Sequence, residues 1–376
     1  MRPVLYKPFQ NLSLSALGMG CMRLPTLADG GVDHAAVSAM VDEALVGGVN
    51  YFDTAWGYHG GESETALGKA LAKHPRKSYY LADKFPGYDL ANMGKTAEIF
   101  EEQLRRCGVE YFDFYLFHNV CELNIDAYLD PSYGTLAYLK EQKKAGRIKH
   151  LGFSCHGDLA VLKRFLDAYG DDMEFCQLQI NYIDWTFQKA KEKVDLLSSR
   201  GIPVWVMEPL RGGMLSNLPE KYASILASLR PGETQTAVAF RFLQSIPTLT
   251  VILSGMSDMA QMKQNIATFS EEKPLSDKEF TALAEMTADM LASTVPCTAC
   301  RYCTEHCVME LDIPKLIALY KEHAFTGGGF IAPMALASLP EDKKPSACVG
   351  CRGCEQVCPQ NIKISEIMAD FTARLR

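Results

Sequence analysis

The amino-acid sequence predicts an α/β chain built as a (β/α)8 barrel, followed by a small cysteine-rich domain. Two observations indicate the barrel. Short apolar runs of β type recur at intervals of roughly 30 residues, and a helix-like stretch follows each run, as βα units require. A third observation indicates the second domain, because eight of the 13 cysteines lie in the last quarter of the chain.

Eight predicted strands alternate with eight predicted helices. The strands are Ser15–Met22, Asn50–Thr54, Tyr79–Lys84, Phe112–His118, His150–Ser154, Phe175–Asn181, Val204–Pro209 and Thr250–Ser254. The helices are His34–Val46, Glu62–Lys73, Lys95–Cys107, Thr135–Lys144, Asp158–Ala168, Gln188–Ser199, Thr234–Gln244 and Asp258–Thr268. A doubly wound sheet rarely needs so many regular repeats, so the pattern favours a closed barrel.

The two ends of the barrel segment are also predicted. The first dozen residues alternate loosely and are expected to form a hairpin that plugs one end of the barrel. A further amphipathic helix, Asp277–Leu291, lies outside the eightfold count, and Pro296 precedes the first clustered cysteine. We therefore expect the barrel at residues 1–292 and the second domain at residues 293–376.

Composition excludes several classes of protein. At 376 residues and 48% hydrophobic, the chain can bury one large core and still leave a small second module. A net charge of −7 without a dense block of Lys and Arg argues against nucleic-acid binding. No apolar run reaches the roughly 18 residues of a membrane span, and the amino terminus lacks the apolar segment of a signal peptide. The prediction is a soluble, cytoplasmic protein.

Three predicted strands end in groups that suit proton transfer to a carbonyl oxygen. Asp53 and Tyr58 follow the second strand, Lys84 ends the third and His118 ends the fourth. The carboxyl ends of barrel strands converge, so these side chains are expected to meet. The ammonium should lower the pKa of the phenol, the carboxylate should hold the lysine, and the imidazole should orient the substrate oxygen. Taken singly, each residue is more often structural; together they predict a proton-donating site.

The segment Phe52–Tyr58, with Gly61-Glu62-Ser63-Glu64 after it, resembles the motif of the aldo-keto reductase family. The resemblance covers roughly residues 3 to 290. It implies that Asp53, Tyr58, Lys84 and His118 form a catalytic tetrad. Hydride would pass from a nicotinamide to the carbonyl carbon while Tyr58 protonates the oxygen, or the reverse would occur with an alcohol.

The same resemblance implies contacts with NADP(H) or NAD(H). Ser154 and Gln177 match the positions that hold the nicotinamide amide. The other implied contacts are Met207, Pro209, Leu210 and Gly213 near the nicotinamide and pyrophosphate, and Ser254, Gly255, Met256, Gln264 and Asn265 toward the adenosine.

Four residues depart from the family pattern. Cys155 replaces the usual Asn beside Ser154, and Met207 stands where an aromatic residue normally stacks on the nicotinamide. Gly255 and Gln261 occupy places where many NADPH-specific members have Lys or Arg. A 2′-phosphate would lack a pairing partner there, so the choice of nucleotide, or the use of any, stays open.

The clustered cysteines repeat one spacing, C-x2-C-x2-C-x3-C. The first motif is Cys297, Cys300, Cys303 and Cys307, and the second is Cys348, Cys351, Cys354 and Cys358. Zinc sites prefer paired C-x2-C groups that close one tetrahedron, whereas this spacing is typical of iron–sulfur ligation. The spacing therefore predicts two [4Fe–4S] clusters.

The segment also resembles bacterial two-cluster ferredoxins, so a ferredoxin-like iron–sulfur domain is expected. The resemblance implies that the fourth cysteine of each motif binds the other cluster. One cluster would be held by Cys297, Cys300, Cys303 and Cys358, and the other by Cys348, Cys351, Cys354 and Cys307.

Three functions follow from this combination. The leading hypothesis is a carbonyl or alcohol oxidoreductase that uses NAD(P)(H) and is accompanied by two clusters. The second is an enzyme whose clusters pass electrons from a ferredoxin or flavoprotein partner to a substrate in the barrel without a nicotinamide. The third is a non-enzymatic electron-transfer or redox-sensing subunit. A hydride carries two electrons and each cluster carries one, so coupling them would need a mediator such as a flavin.

Overall fold

A computed structural model describes residues 2–292 and 294–376. The chain forms two compact units that divide between Ala284 and Glu285. This division falls inside the last helix of the barrel segment, and the domain boundary predicted after residue 292 falls at the end of the same helix. That boundary stays a prediction.

The first unit contains a hairpin and a closed barrel of eight parallel strands, which confirms the predicted TIM-barrel class. The hairpin strands are β1 (Tyr6–Phe9) and β2 (Leu12–Ser15). The barrel strands are β3 (Leu17–Gly20), β4 (Tyr51–Asp53), β5 (Tyr80–Phe85), β6 (Phe112–Val120), β7 (Ile148–Cys155), β8 (Cys176–Gln179), β9 (Val204–Met207) and β10 (Leu249–Gly255). They follow one another around the barrel in chain order, and β10 closes it by pairing with β3.

Helices surround the barrel. Those of the first unit are α1 (His34–Val46), α2 (Glu62–Leu71), α3 (Thr96–Cys107), α4 (Ile125–Leu129), α5 (Thr135–Lys144), α6 (Leu159–Tyr169), α7 (Asp184–Phe187), α8 (Ala190–Ser199), α9 (Glu220–Leu229), α10 (Gln235–Gln244), α11 (Met259–Phe269) and the start of α12 (Asp277–Ala292). All eight predicted helices are present. The sequence analysis missed α4, α7 and α9, which lie in loops between predicted elements.

Side-chain caps explain where several helices begin. Asp33 caps α1 by accepting hydrogen bonds from the N–H groups of Ala35 and Ala36. Asp158, Thr234 and Asp258 cap α6, α10 and α11 in the same way. Such residues favour the cap position because their side-chain oxygens satisfy N–H groups that the first turn leaves open. The predicted starts at 158, 234 and 258 are therefore caps, and each helix begins one residue later.

The hairpin plugs the amino-terminal end of the barrel, as predicted. Phe9 and Leu14 of the hairpin are buried and pack with Tyr51, Phe114 and Trp205 from the barrel interior. The first predicted strand was too long at its start, because Ser15 belongs to β2 of this hairpin and β3 begins at Leu17. With one end closed by apolar side chains, the carboxyl ends of the strands are left to carry the site.

The second unit is helical between its cysteine motifs. Its helices are α13 (Ile313–Thr326), α14 (Ile331–Ala337), α15 (Gly353–Gln356) and α16 (Ile364–Arg374). Ile313, Ile317, Ile364, Met368 and Phe371 are buried in a core against which cysteines of both motifs pack. Across the described residues of both units, no helix has the length and apolar character that a membrane span requires.

Candidate active site and metal centres

A buried ion pair lies at the ends of β4 and β5. Lys84 Nζ donates a hydrogen bond to Asp53 Oδ1 at 2.6 Å and another to the backbone oxygen of Thr54 at 2.7 Å. The lysine side chain is 1% exposed and the carboxylate 3%. Burial opposes the charge on Lys84, but the Asp53 carboxylate outweighs it and raises the pKa of the lysine. Lys84 is therefore a fixed cation at the barrel mouth.

Tyr58 stands beside this cation. Its hydroxyl lies 3.5 Å from Lys84 Nζ, and the ammonium also lies 5.0 Å from the centre of the phenol ring. Lys84 lowers the pKa of Tyr58, as predicted, but burial outweighs this effect and the net shift is upward. Burial raises that pKa to about 12, and Lys84 only offsets part of the rise while Asp53 adds to it. Tyr58 thus holds its proton firmly at neutral pH.

His118 faces the same phenol from β6. The two rings meet edge to face with centroids 6.0 Å apart, and Tyr88 packs on His118 at 5.1 Å. The pairing of β6 with β7 shifts register between Phe117 and Val120, and such irregularities re-aim side chains at strand ends. Burial, with help from the charge of Lys84, holds the pKa of His118 well below its usual value, so the imidazole is neutral.

The four predicted tetrad residues are thus brought together at one end of the barrel. Three neighbouring strands and the loop after β4 supply them, and their charges are arranged as one cation, one carboxylate, one protonated phenol and one neutral imidazole. Chemically, this arrangement can donate a proton to an oxygen placed between Tyr58 and His118.

Ser154 and Gln177 lie side by side on the next two strands. They are register partners between β7 and β8, and both are buried. Ser154 Oγ accepts a hydrogen bond from the N–H of Asn119 at 2.7 Å, which ties β7 to β6 at the residue after His118. Met207 ends β9 and pairs with Gln179. These residues line up on consecutive strands beside the tetrad.

The remaining predicted nucleotide contacts lie in two loops. The loop with Pro209, Leu210 and Gly213 follows β9, and Gly213 is exposed with a φ of 95°. Ser254, Gly255 and Met256 end β10, while Gln264 and Asn265 lie on α11. Asn265 Nδ2 donates to Ser254 Oγ at 3.1 Å in a buried bond that joins α11 to β10. Met256 is 1% exposed, which leaves its backbone rather than its side chain to contact a ligand.

Sequence reasoning missed Arg23, which lies between these two loops. Its stem carbons stand 3.2–3.3 Å from where a Cβ on Gly255 would be, and its Nη2 stands 3.4 Å from the same point on Gly212. The hydroxyl of Ser257 donates to the Arg23 carbonyl at 3.0 Å. A cation is therefore present where Gly255 and Gln261 supply none. No sequence signal gave it, because Arg23 comes from the opposite end of the barrel segment.

The eight clustered cysteines line two cavities. One is lined by Cys297, Cys300, Cys303 and Cys358. The other is lined by Cys307, Cys348, Cys351 and Cys354. Each cavity thus takes three cysteines from one motif and the fourth from the other. Four thiols that converge on one space are a donor set that suits an iron–sulfur cube.

The two cysteine motifs have the same backbone form. Positive φ angles occur at Arg301 (68°) and Arg352 (60°), which hold equivalent places between the second and third cysteines of each motif. The φ angles also agree three residues after the last cysteine of each motif, where they are 51° at Glu310 and 52° at Asn361. The unit is therefore built from two similar halves, each of which leads into a helix.

Comparison with known proteins identifies both units. Residues 16–288 match the model of the aldo/keto reductase family. The chain belongs to this family. Residues 296–362 match the model of a 4Fe-4S dicluster domain, so the reductase barrel is followed by a ferredoxin-like iron–sulfur domain. Both recognitions made from the sequence are confirmed, and the chain is an enzyme of the oxidoreductase class.

Relatives of this reductase cover most of the barrel. An NADH-specific methylglyoxal reductase of Escherichia coli is 26% identical over 321 residues, 73% of this chain and 95% of the relative. The holo form of an aldo-keto reductase from Bacillus halodurans is 26% identical, with a TM-score of 0.63 over 75% of this chain and 96% of that one. An aldo-keto reductase from Klebsiella pneumoniae in complex with NADPH shares the fold, at 19% identity and a TM-score of 0.60 over 76% and 95%.

Replacing Lys84 by Met is expected to destabilise the reductase barrel by about 3–5 kcal/mol, because the Asp53 carboxylate loses its buried cation. Burial already raises the pKa of Asp53. A carboxyl group with a raised pKa stabilises the folded state at low pH, where it is protonated. The loss of stability caused by Lys84→Met should therefore shrink as the pH falls and Asp53 takes up a proton. Chemical unfolding followed by tryptophan fluorescence measures the change. The double variant Asp53→Asn/Lys84→Met should recover part of the loss, and equal stability of Lys84→Met and wild type would contradict the prediction.

Proposed function

We propose that the barrel reduces a carbonyl group to an alcohol, or catalyses the reverse oxidation, with NAD(P)(H) as hydride donor and Tyr58 as proton donor. The observation that carries this proposal is the contact of the Tyr58 hydroxyl with Lys84 of the buried Lys84–Asp53 pair, with the His118 ring packed edge to face on the phenol. Membership of the aldo/keto reductase family supports the same reaction type.

Each residue has a separate task in this reaction. A nicotinamide held by Ser154 and Gln177 would supply the hydride for the carbonyl carbon. The neutral His118 imidazole hydrogen-bonds to the carbonyl oxygen and orients it. Tyr58 gives its proton to that oxygen as negative charge develops there, and Lys84 stabilises the phenolate that is left. Because Asp53 fixes Lys84, this stabilisation is in place before the reaction begins.

Replacing Tyr58 by Phe is expected to lower kcat for aldehyde reduction at least a hundredfold, since general acid catalysis contributes roughly 10²–10⁴-fold. With the pKa of Tyr58 at about 12, wild-type reduction should not decline across the neutral and mildly alkaline range. Oxidation of NADH or NADPH by methylglyoxal and 4-nitrobenzaldehyde, followed by absorbance, measures both. This role would be refuted if Tyr58→Phe turned over as fast as wild type, or if the wild-type rate of reduction fell as the pH rose through neutrality.

For the nucleotide, we propose that Ser154 and Gln177 hold the nicotinamide amide and that the loops after β9 and β10 contact the rest of the dinucleotide. Support comes from the alignment of Ser154, Gln177 and Met207 on consecutive strands. The E. coli relative is named NADH-specific, and the Klebsiella relative is in complex with NADPH. Arg23 lies between both loops and offers the phosphates a cation.

Replacing Arg23 by Gln is expected to weaken nucleotide binding by about 1.5 kcal/mol, or roughly tenfold in Kd, because a charged hydrogen bond to a phosphate is lost. Titration of nicotinamide fluorescence with NADPH and NADH measures the effect. A larger loss for NADPH would place Arg23 beside the 2′-phosphate. Arg105→Gln, which removes an exposed arginine paired with Glu102, is the matched control. If wild type binds neither nucleotide, the result favours the alternative in which the clusters supply electrons to the site without a nicotinamide.

For the second unit, we propose two [4Fe–4S] clusters, one in each cysteine cavity, with the ligands crossed between motifs. The lining of both cavities supports the crossed assignment. Each cluster would supply single-electron chemistry, and the residues that hold it are the four cysteines of its cavity. Cys300 and Cys351 are exposed, which supports electron exchange with a redox partner such as a ferredoxin or flavoprotein. Free, buried cysteines in the barrel fit the reducing cytoplasm proposed as its location.

The crossed ligation gives a specific expectation for Cys358→Ser. Anaerobically purified wild type should hold about eight iron atoms, and the variant should lose close to half of them. Although Cys358 belongs to the second motif, the electron paramagnetic resonance spectrum of the reduced variant should match that of Cys300→Ser and differ from that of Cys351→Ser. If Cys358→Ser instead resembles Cys351→Ser, each motif holds its own cluster and the crossed assignment fails.

A further inference from the structure

A buried polar cluster contacts the backbone of Lys84 and takes no part in the reaction proposed above. We call it the Glu64 cluster; it consists of Glu64, Asp83, Gln103, Arg106 and Tyr115. Glu64, Asp83 and Gln103 are each 0% exposed. Placing two carboxyl groups in the interior is costly, so their arrangement calls for a physical reason.

Gln103 holds the backbone of Lys84. Its amide nitrogen, with two N–H groups to share, lies within hydrogen-bond distance of three acceptors: Glu64 Oε1 at 3.0 Å, Asp83 Oδ1 at 2.9 Å and the carbonyl of Lys84 at 3.0 Å. The Tyr115 hydroxyl donates to Gln103 Oε1 at 2.5 Å, which fixes the orientation of the amide. The N–H of Lys84 donates to Asp83 Oδ1 at 2.8 Å. Both backbone groups of Lys84 are thus held by side chains of the cluster.

The lengths of two strands explain why side chains are needed there. β4 ends at Asp53, opposite Ala82, and the last backbone bond between the two segments runs from Thr54 N to Ala82 O at 3.0 Å. β5 continues for three more residues. Alternate residues of a strand turn their backbone groups to the same side, so Lys84 faces the place where β4 has stopped. The Glu64 cluster replaces the missing strand at that point.

A second arm of the cluster reaches the loop that carries Tyr58. Arg106 Nη1 donates to Glu64 Oε2 at 2.9 Å, and the centre of its guanidinium lies 3.8 Å from the centre of the Trp56 ring. The same nitrogen stands 3.5 Å from where a Cβ on Gly61 would be. Trp56 and Gly61 lie on either side of Tyr58 in sequence. One carboxylate, that of Glu64, therefore connects the Tyr58 loop with the backbone of Lys84.

The charges in the cluster agree with this arrangement. Glu64 pairs with Arg106, and among the described residues no cation lies within hydrogen-bond distance of Asp83. Burial, reinforced by the nearby Glu64, raises the pKa of Asp83 well above its usual range. The raised pKa favours the protonated, neutral form of Asp83.

We propose that Glu64 is a positioning residue for the reaction: its carboxylate holds Gln103 on the backbone of Lys84 and Arg106 against the Tyr58 loop, and so fixes the separation of the ammonium and the phenol. Glu64 touches neither substrate nor nucleotide. The inference rests on the proposed function for its kinetic consequence, but the physical connection between Glu64 and the Tyr58 loop does not depend on any turnover.

The test compares Glu64→Gln with Glu102→Gln. Both variants remove a carboxylate that pairs with Arg106, but Glu102 is partly exposed and contacts only Arg106 and Arg105 among these residues. With 4-nitrobenzaldehyde and the preferred nucleotide, Glu64→Gln should lower kcat ten- to a hundredfold, since a displacement of about 1 Å can cost 10²-fold. The Kd of the nucleotide should stay within about twofold, and Glu102→Gln should match wild type.

A second readout needs no activity. The chain has three tryptophans, so the indole N–H signal of Trp56 can be assigned in ¹⁵N-labelled protein by Trp56→Phe. Glu64→Gln should shift this signal and Glu102→Gln should not. An unmoved Trp56 signal together with unchanged kcat overturns the proposal. If wild type fails to turn over with any nucleotide, the proposed function fails, while a shifted Trp56 signal still upholds the connection from Glu64 to the Tyr58 loop.

Arg106→Lys separates positioning from folding. It keeps the cation beside the buried carboxylate but removes the flat guanidinium that stacks on Trp56. If Glu64→Gln does not fold, Arg106→Lys should still lower kcat and move the Trp56 signal without a comparable loss of thermal stability. A lowered melting temperature with unchanged kcat would show a purely structural role and overturn the proposal.

Discussion

A lysine can be buried at the mouth of this barrel only because a carboxylate is buried with it, and most of the site is organised by that requirement. Lys84 and Asp53 come from adjacent strands and meet at 2.6 Å with almost no exposure. Separating either charge from the other inside the protein would cost several kcal/mol. The pair therefore locks the ends of β4 and β5 together and presents a permanent positive charge to the phenol of Tyr58.

This fixed charge does not make the phenol a strong acid at rest. Burial raises the pKa of Tyr58 more than Lys84 lowers it, so the proton stays on the oxygen until a better acceptor arrives. In the reaction proposed for this site, a proton donor with that property serves reduction well, because it keeps its proton at neutral pH and its conjugate base forms next to a cation. The neutral state of His118 has the same physical origin, since burial and Lys84 both oppose a second positive charge.

The two units suit reactions that transfer different numbers of electrons in one step. The barrel belongs to a family of oxidoreductases, and the reaction proposed for it is a two-electron step. The 4Fe-4S dicluster domain suits single electrons, and its cysteine motifs interlock around two cavities. Cys358, far along the chain from Cys297, lines the same cavity, so that cavity is complete only when both motifs are folded.

The sequence by itself determined the barrel, the tetrad and the cysteine motifs, because each is a local pattern: strand and helix periodicity, polar residues at strand ends, and fixed cysteine spacing. It could not determine the balance of burial and charge on Tyr58, since that depends on how deeply the loop packs. Nor could it show that Arg23 lies between the two loops after β9 and β10, or that Glu64 connects Lys84 with the Tyr58 loop. Those contacts join residues tens to hundreds of positions apart, and only closure of the barrel brings them within the few ångströms at which charge and hydrogen bonding act.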